Sequence, residues 1–543
     1  MLLRALRILG EYRIVAGIAL LALALRLVNL TDFHVLESDE AVYAQSAAHL
    51  IAGNVPYRDF FYPSPPVYLF LEAAVVVVDQ SILSIRLLAV AFGVLNVFLT
   101  WRLARDLTGA GWRAHLAALT YAFLPFAVYF DKIALIEGPL TAFVIAAFIL
   151  FFRARERALT AASPPRWFDR KYFVAGLVLG VAILTKYSAG LIGGLMALSF
   201  IFARDRKNAP SFVLGAAVVP AFAVLGLAAS GTFGDFWTET VSWQMIRFPQ
   251  TTFEKTWGLF NYFGWVYPLL APIVGILLIS RFRSRSRILP WYLASVGLLL
   301  VGKTTFVHYF VMLTPLLCVA FAEVMPPLDV WRRLWGRLRR FRIRQDLPVV
   351  ARQAASLAVV AFLLVNYAFL VVIAYGGPWP GSLSAFGEPT EVSRILVKDQ
   401  VARYIGQVTL PNETIWTSDP ALAYLARRQI VPANVSSWRF QGFFSDVWAY
   451  NLDGGYRGPI PGYPDGLITL EELRQGWEQQ LPRVIVIIRT SLVDRLVWDG
   501  FSNPDTNQTG LGSWIESRYD LGPVVAGIGS TFSPGNIEVW VRS

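Results

Sequence analysis

Ile14–Leu30 reads IVAGIALLALALRLVNL, and about seven residues further on comes Glu37-Ser38-Asp39-Glu40. The apolar run is long enough to cross a bilayer core of about 30 Å at about 1.5 Å per residue. Arg4, Arg7 and Arg13 precede it, so the positive-inside rule places the N-terminus in the cytoplasm and delivers the carboxylates to the outer face, close to the membrane surface. No small-residue cleavage site is evident, so the run is read as a retained span. An acidic cluster by itself is as readily a solvated loop; what surrounds this one decides between the readings.

The composition sets the class. Of 543 residues, 55% are hydrophobic and 16% charged, against about 25% charged in an ordinary soluble domain; the mean hydropathy is +0.51. This is the composition of a polytopic α-helical membrane protein. A net charge of +11 would suit a nucleic-acid partner, but the cations are confined to short linkers between apolar runs: Arg102, Arg105 and Arg113; Arg153, Arg155 and Arg157; Arg204, Arg206 and Lys207; Arg281, Arg283, Arg285 and Arg287; and a dense group from Arg332 to Arg344. That is the signature of cytoplasmic loops facing anionic lipid, and no nucleic-acid partner is expected. A single cysteine, Cys318, excludes an internal disulfide and a thiolate metal cluster.

Applied along the chain, the same rule predicts eleven spans: 14–30, 84–104, 114–131, 134–152, 172–185, 188–203, 211–229, 259–280, 288–302, 305–325 and 353–375. Basic linkers lie on both sides of the pair 172–185 and 188–203, so the chain must turn back near Lys186 at the outer surface. Residues 1–375 form the membrane domain, with a first outer loop at about 32–83. From about residue 376 Pro, Gly, Asn and Asp become frequent, and apolar runs shrink to strand length at Thr414–Thr417, Val484–Ile488 and Ile537–Val541. Helix-like stretches at Val392–Gly406, Pro420–Arg428 and Leu470–Gln480 alternate with them, which predicts an α/β domain over 376–543. An odd number of spans places it outside.

The first outer loop is long for a connection. After the acids come Ala41-Val42-Tyr43-Ala44-Gln45 at helical spacing, a turn at Gly53–Asp59, Tyr62-Pro63-Ser64-Pro65-Pro66-Val67-Tyr68, and the apolar Leu69–Val78, read as a helix in the interface. Such helices against the bilayer edge suit a substrate half dissolved in lipid.

In order, these motifs resemble the GT-C superfamily of polytopic glycosyltransferases that use polyprenyl-phosphate sugars, closest to the branch of protein O-mannosyltransferases and the lipid A aminoarabinose transferase. The matching residues are Asp39-Glu40 with Tyr43-Ala44; Gly53, Pro56-Tyr57 and Pro65-Pro66; Glu137-Gly138-Pro139-Leu140-Thr141; Gly176–Lys186; and His308-Tyr309 with Pro315. The resemblance covers about residues 1–330. Ser64 stands where some relatives carry lysine, and Glu137 where the second acid is often aspartate. The resemblance implies an inverting glycosyltransferase in the plasma (inner) membrane, with a polyprenyl-phosphate sugar as donor, an unidentified glycan, lipid or protein acceptor, and no cofactor.

The chemistry needs a base for the acceptor hydroxyl and cations for the departing phosphate. Asp39 is the expected base, since a carboxylate with a reference pKa of about 3.9 is ionised at neutral pH; a solvated turn or helix cap is the alternative. Glu40 is expected to orient Asp39 or the loop. Glu137, just before a Pro-marked helix start, is a second candidate acid or a helix-start charge. Lys186, Arg247, Lys303, His308 and Tyr309 are the expected donor-phosphate group; snorkelling and loop structure compete for Lys186 and Arg247, a structural hydrogen bond for His308. Asp39, Glu40 and Glu137 could ligate a divalent ion, but histidine is scarce and metal is not favoured. Two other functions stay open: a transporter or flippase of lipid-linked intermediates, which would spread ionisable residues through both leaflets, and an inactive homologue. Asn412, Asn434 and Asn507 sit in glycosylation sequons.

Overall fold

The computed structural model describes residues 2–31, 38–60, 62–160, 168–201, 203–242, 252–279, 286–302, 305–325, 391–431, 470–489, 492–503, 506–528 and 534–543. Helices stand on each apolar run through residue 325: α1 (Leu2–Leu27), α4 (Ile82–Thr108), α5 (Gly111–Phe123) with α6 (Pro125–Phe130), α7 (Glu137–Thr160), α8 (Arg170–Thr185), α9 (Ser188–Leu198), α10 (Ala209–Ala229), then Thr252–Ile279, Leu289–Val301 and Thr314–Val324. The run at 353–375 lies outside the described residues. Between α1 and α4 the outer loop carries α2 (Ser38–Ile51) and α3 (Pro66–Val76).

Four helical stretches among the described residues are long and apolar enough to cross a bilayer: Ile82–Thr108, Glu137–Thr160, Arg206–Ala229 and Val307–Val324. Others depart from the expected lengths for local reasons. The run 114–131 is two helices, because Leu124, ahead of Pro125, is extended (φ −66°, ψ 119°), as a residue before proline prefers. α9 ends at Leu198 rather than near 203; at about 1.5 Å per residue it reaches only partway through the hydrocarbon. The run 305–325 begins as a tight 3-10 turn, Val307–Leu313, and becomes α-helical at Thr314, with Pro315 in the first turn.

The turn at Lys186 is present. Lys186 is extended (φ −155°, ψ 135°) and closes α8, and α9 doubles back so that Gly193 faces Leu179, residues equidistant from the turn. α8 and α10 cross at near backbone contact. A Cβ on Gly176 would lie 2.2 Å from the Phe212 carbonyl oxygen, and one on Gly215 would lie 2.1 Å from that of Phe173, so only glycine permits this approach.

The C-terminal region is a mixed sheet. β1 (Ile415–Thr417) pairs parallel with β2 (Val484–Ile488), β2 antiparallel with β6 (Pro534–Arg542), and β6 antiparallel with β5 (Tyr519–Ile528). The three strands and the three helices expected from sequence are found; β5 and the short ribbon β3 (Gly500–Asn503) with β4 (Thr506–Thr509) are additions. Helix Glu391–Val408 and helix Pro420–Ala426 cover the sheet with a core that includes Ile405, Trp416, Leu422, Trp477 and Val486.

This region rests on the outer loop. Ala421 and Tyr424 share a core with Ala41, Tyr43, Ala44, Tyr62 and Tyr68. The Gln45 side-chain amide donates to the Arg428 carbonyl (3.1 Å), and the Tyr424 hydroxyl donates to the Ser81 carbonyl (3.3 Å).

Candidate active site

Asp39 is the second residue of α2 and its side chain is exposed; the partial positive charge of a helix N-terminus favours a carboxylate there. One turn on, Tyr43 packs edge-on against Tyr68 at 5.2 Å between centroids. Burial, then the charges of Asp39 and Glu137, push the Tyr43 phenol well above its ordinary pKa, so it stays protonated. The aromatic wall continues through Tyr57, edge-on to Phe236 at 5.0 Å, and the Tyr62 amide donates to Glu239 Oε2 at 2.9 Å.

From the other side of the site α7 brings Glu137, 2% exposed, to the turn after α8, where its carboxylate takes the Lys186 ammonium in an ion pair. His308 Nε2 lies 3.7 Å from the same carboxylate oxygen. The Lys186 Nζ sits 3.9 Å from the centre of the Tyr309 ring, a cation–π contact, and the charge of Asp39 reaches it. His308 is fixed between Phe306, stacked at 5.6 Å, and Tyr309, edge-on at 4.8 Å. Lys186 and His308 are each 19% exposed. The result is an exposed carboxylate whose charge reaches a partly accessible lysine, with the His308 imidazole set against the same buried Glu137 carboxylate.

Of the residues expected from sequence, Asp39, Glu137, Lys186, His308 and Tyr309 converge here. Arg247 and Lys303 lie outside the described residues. Glu40 turns away from the cluster. It is wholly buried against Arg86 (2.8 and 2.9 Å) and accepts the Ala134 amide at 2.9 Å, which ties α2 to α4 and to the segment that leads into Glu137. Two of the possible divalent ligands, Glu40 and Glu137, are thus engaged by cations, and among the described residues no group of three His, Cys, Asp or Glu side chains is placed to hold a metal.

Several participants were not singled out from sequence. Glu239 carries no chemical signal without the fold, and Tyr43, quoted among the ordered motifs, had no role of its own assigned. Arg26 does carry one, an arginine inside an apolar span; it is fully buried and binds Asp131 through Nε (3.0 Å) and Nη2 (2.8 Å). Both buried pairs therefore grip the 131–136 segment, and Asn96 adds a hydrogen bond to the Gly138 carbonyl at 3.1 Å.

Residues 63–227 match the family model described as dolichyl-phosphate-mannose-protein mannosyltransferase. No curated protein matches the chain in sequence. Among solved structures, ArnT of Cupriavidus metallidurans bound to undecaprenyl phosphate aligns over 97% of this chain and 98% of its own, with TM-score 0.59 and 15% identity. Its apo form gives TM-score 0.58 and 16% identity over the same shares. The fold is GT-C. The resemblance carried by the ordered motifs to the O-mannosyltransferase and aminoarabinose-transferase branch thus recurs in the family match and in the architecture. Within this GT-C fold Glu137 and Lys186 belong to the matched segment, and the chain brings Asp39 and His308 to them from before and after it.

Proposed function

We propose that the protein is a glycosyltransferase that moves a sugar from a polyprenyl-phosphate donor to an acceptor hydroxyl at the outer face of the membrane. The observation that carries the reading is exposed Asp39, whose charge reaches Lys186, together with the Lys186 and His308 side chains on buried Glu137. A membrane glycosyl transfer needs these two chemistries side by side. The GT-C architecture, and the undecaprenyl phosphate bound by ArnT, support it.

The acceptor oxygen attacks the anomeric carbon as the bond from that carbon to the phosphate oxygen breaks, which inverts the centre. Asp39 takes the acceptor proton, and polyprenyl phosphate leaves with the bonding pair. Lys186 has three donors; one meets Glu137, and the others, unclaimed among the described residues, hold the departing phosphate with His308. Fixed cations at a site of developing negative charge supply much of an enzyme's rate. Glu137 keeps Lys186 and His308 in place, and the neutral Tyr43 phenol borders the acceptor side. The C-terminal region, packed on α2, forms the aqueous wall.

The test is reconstitution of purified protein with a panel of polyprenyl-phosphate sugars and with membrane glycolipids and proteins as acceptors. The expected outcome is free polyprenyl phosphate and a glycosylated acceptor in equal amounts, with Lys186→Ala weakening donor binding and slowing turnover together. Movement of intact donor across the bilayer without cleavage would contradict the reading and favour transport.

A further inference from the structure

At the opposite end of α7 from Glu137, a cavity of about 360 Å³ opens between α7 and α8, lined by Leu150, Arg153, Ala154, Arg157, Arg170, Lys171 and Val174. Sixteen to twenty helical residues, at about 1.5 Å each, put roughly 24–30 Å between it and the active site, so it belongs to the other leaflet and serves no part of the transfer chemistry. Its volume lies within the range of small-ligand sites.

The charge in it is not balanced among the described residues. Arg153 is paired with Asp106 (2.6 Å). Asp169, the N-cap of α8, accepts the Lys171 and Tyr172 amides at 2.7 and 3.4 Å. Arg155, between the lining arginines, turns aside to Asp205 (3.1 Å). Glu156 is exposed and lines no part of the cavity. Arg157, Arg170 and Lys171 make no ion pair among the described residues, and all three are exposed at the mouth. Leu150, Ala154 and Val174 form the wall on the side that runs back along the helices toward the membrane centre.

We propose that this cavity binds the phosphate headgroup of an anionic phospholipid, with its acyl chain along Leu150 and Val174. Three unpaired cations from two helices match a phosphodiester, and basic pockets between membrane helices are suited to such headgroups. The apolar wall commits the site to a lipid rather than a free anion, which would leave that wall wet. The bound lipid bridges α7, which carries Glu137, to α8, which ends at Lys186.

The experiment measures thermal unfolding of the full-length protein in detergent with added phosphatidylglycerol, phosphatidylcholine or inorganic phosphate, together with native mass spectrometry of retained lipid. The expected result is a Tm rise of several degrees and retained lipid with phosphatidylglycerol only. The triple variant Arg157→Gln, Arg170→Gln, Lys171→Gln should fold at the wild-type Tm without added lipid and lose that rise. A control that removes the same charge at Arg281, Arg283 and Arg285 should keep it. Equal stabilisation by phosphatidylcholine, or an equal loss in the control, would overturn the site as diffuse surface attraction. An equal rise with inorganic phosphate would overturn the lipid assignment.

Discussion

His49 shows how one side chain couples the outer loop to pH. It is 3% exposed, stacked on Phe60 at 5.5 Å and hydrogen-bonded through Nδ1 to Asn54 at 3.1 Å. Burial lowers its pKa from 6.5 to about 4. The unfolded chain takes up this proton as pH falls past about 6.5, the folded chain only near 4, so stability is full above that window and is lost as pH falls through it. The loss is on the order of 3 kcal/mol. Thermal unfolding of His49→Gln between pH 7 and pH 4 should show a flatter decline than the wild type; parallel curves would remove His49 from the account. Glu72 makes the converse case. Its buried carboxylate has no hydrogen-bond partner among the described residues, and burial, then the charge of Glu40, raises its pKa well above the usual range. A neutral amide fits that place, so Glu72→Gln should match or exceed the wild-type Tm at pH 7, and a lower Tm would contradict it. Lys186 was legible from sequence because a lone cation in apolar surroundings demands a reason. Glu72 was not, since only the fold reveals that none of the described residues bonds it.

At the scale of elements, the segment 131–136 depends on two ion pairs made far apart in sequence. Arg26 and Asp131 are 105 residues apart, Glu40 and Arg86 are 46 apart. No spacing rule reaches so far, which is why these clamps were illegible while the helices, written in local hydropathy, could be read. The break at Leu124 was missed for a related reason: an apolar run has the same hydropathy on either side of a proline. Arg86→Met should cost about 3–5 kcal/mol, because it strands a buried carboxylate, whereas the double variant Arg86→Met, Glu40→Met should regain most of that stability. If Glu40 positions the site through the Ala134 amide, the double variant stays slow although it is stable; recovery of turnover together with Tm would refute a positioning role. Gly93 tests the other clamp. A Cβ there would lie 2.7 Å from Asp131, so Gly93→Ala should push Asp131 from Arg26 and lower both Tm and activity.

For the whole molecule, the sequence-level argument was parity: basic linkers on one side and an odd number of crossings put the C-terminal region outside. The packing of helix Pro420–Ala426 on α2 places that region beside the Asp39 loop, on one face with it. A reporter fused after Ser543 should therefore read as extracytoplasmic, with the N-terminus cytoplasmic; both ends on one side would break the topology. The same packing explains what the sequence could not show. Strand-length runs reveal a sheet, but not that its covering helix closes over the Asp39 loop. The central claim is that Asp39 is the base, and donor binding and turnover measured on Asp39→Asn test it most directly. The substitution keeps shape and hydrogen bonding but removes the proton acceptor, so turnover should fall about 10²–10⁴-fold while affinity for the polyprenyl-phosphate sugar stays at the wild-type value. Full turnover in Asp39→Asn would contradict the account.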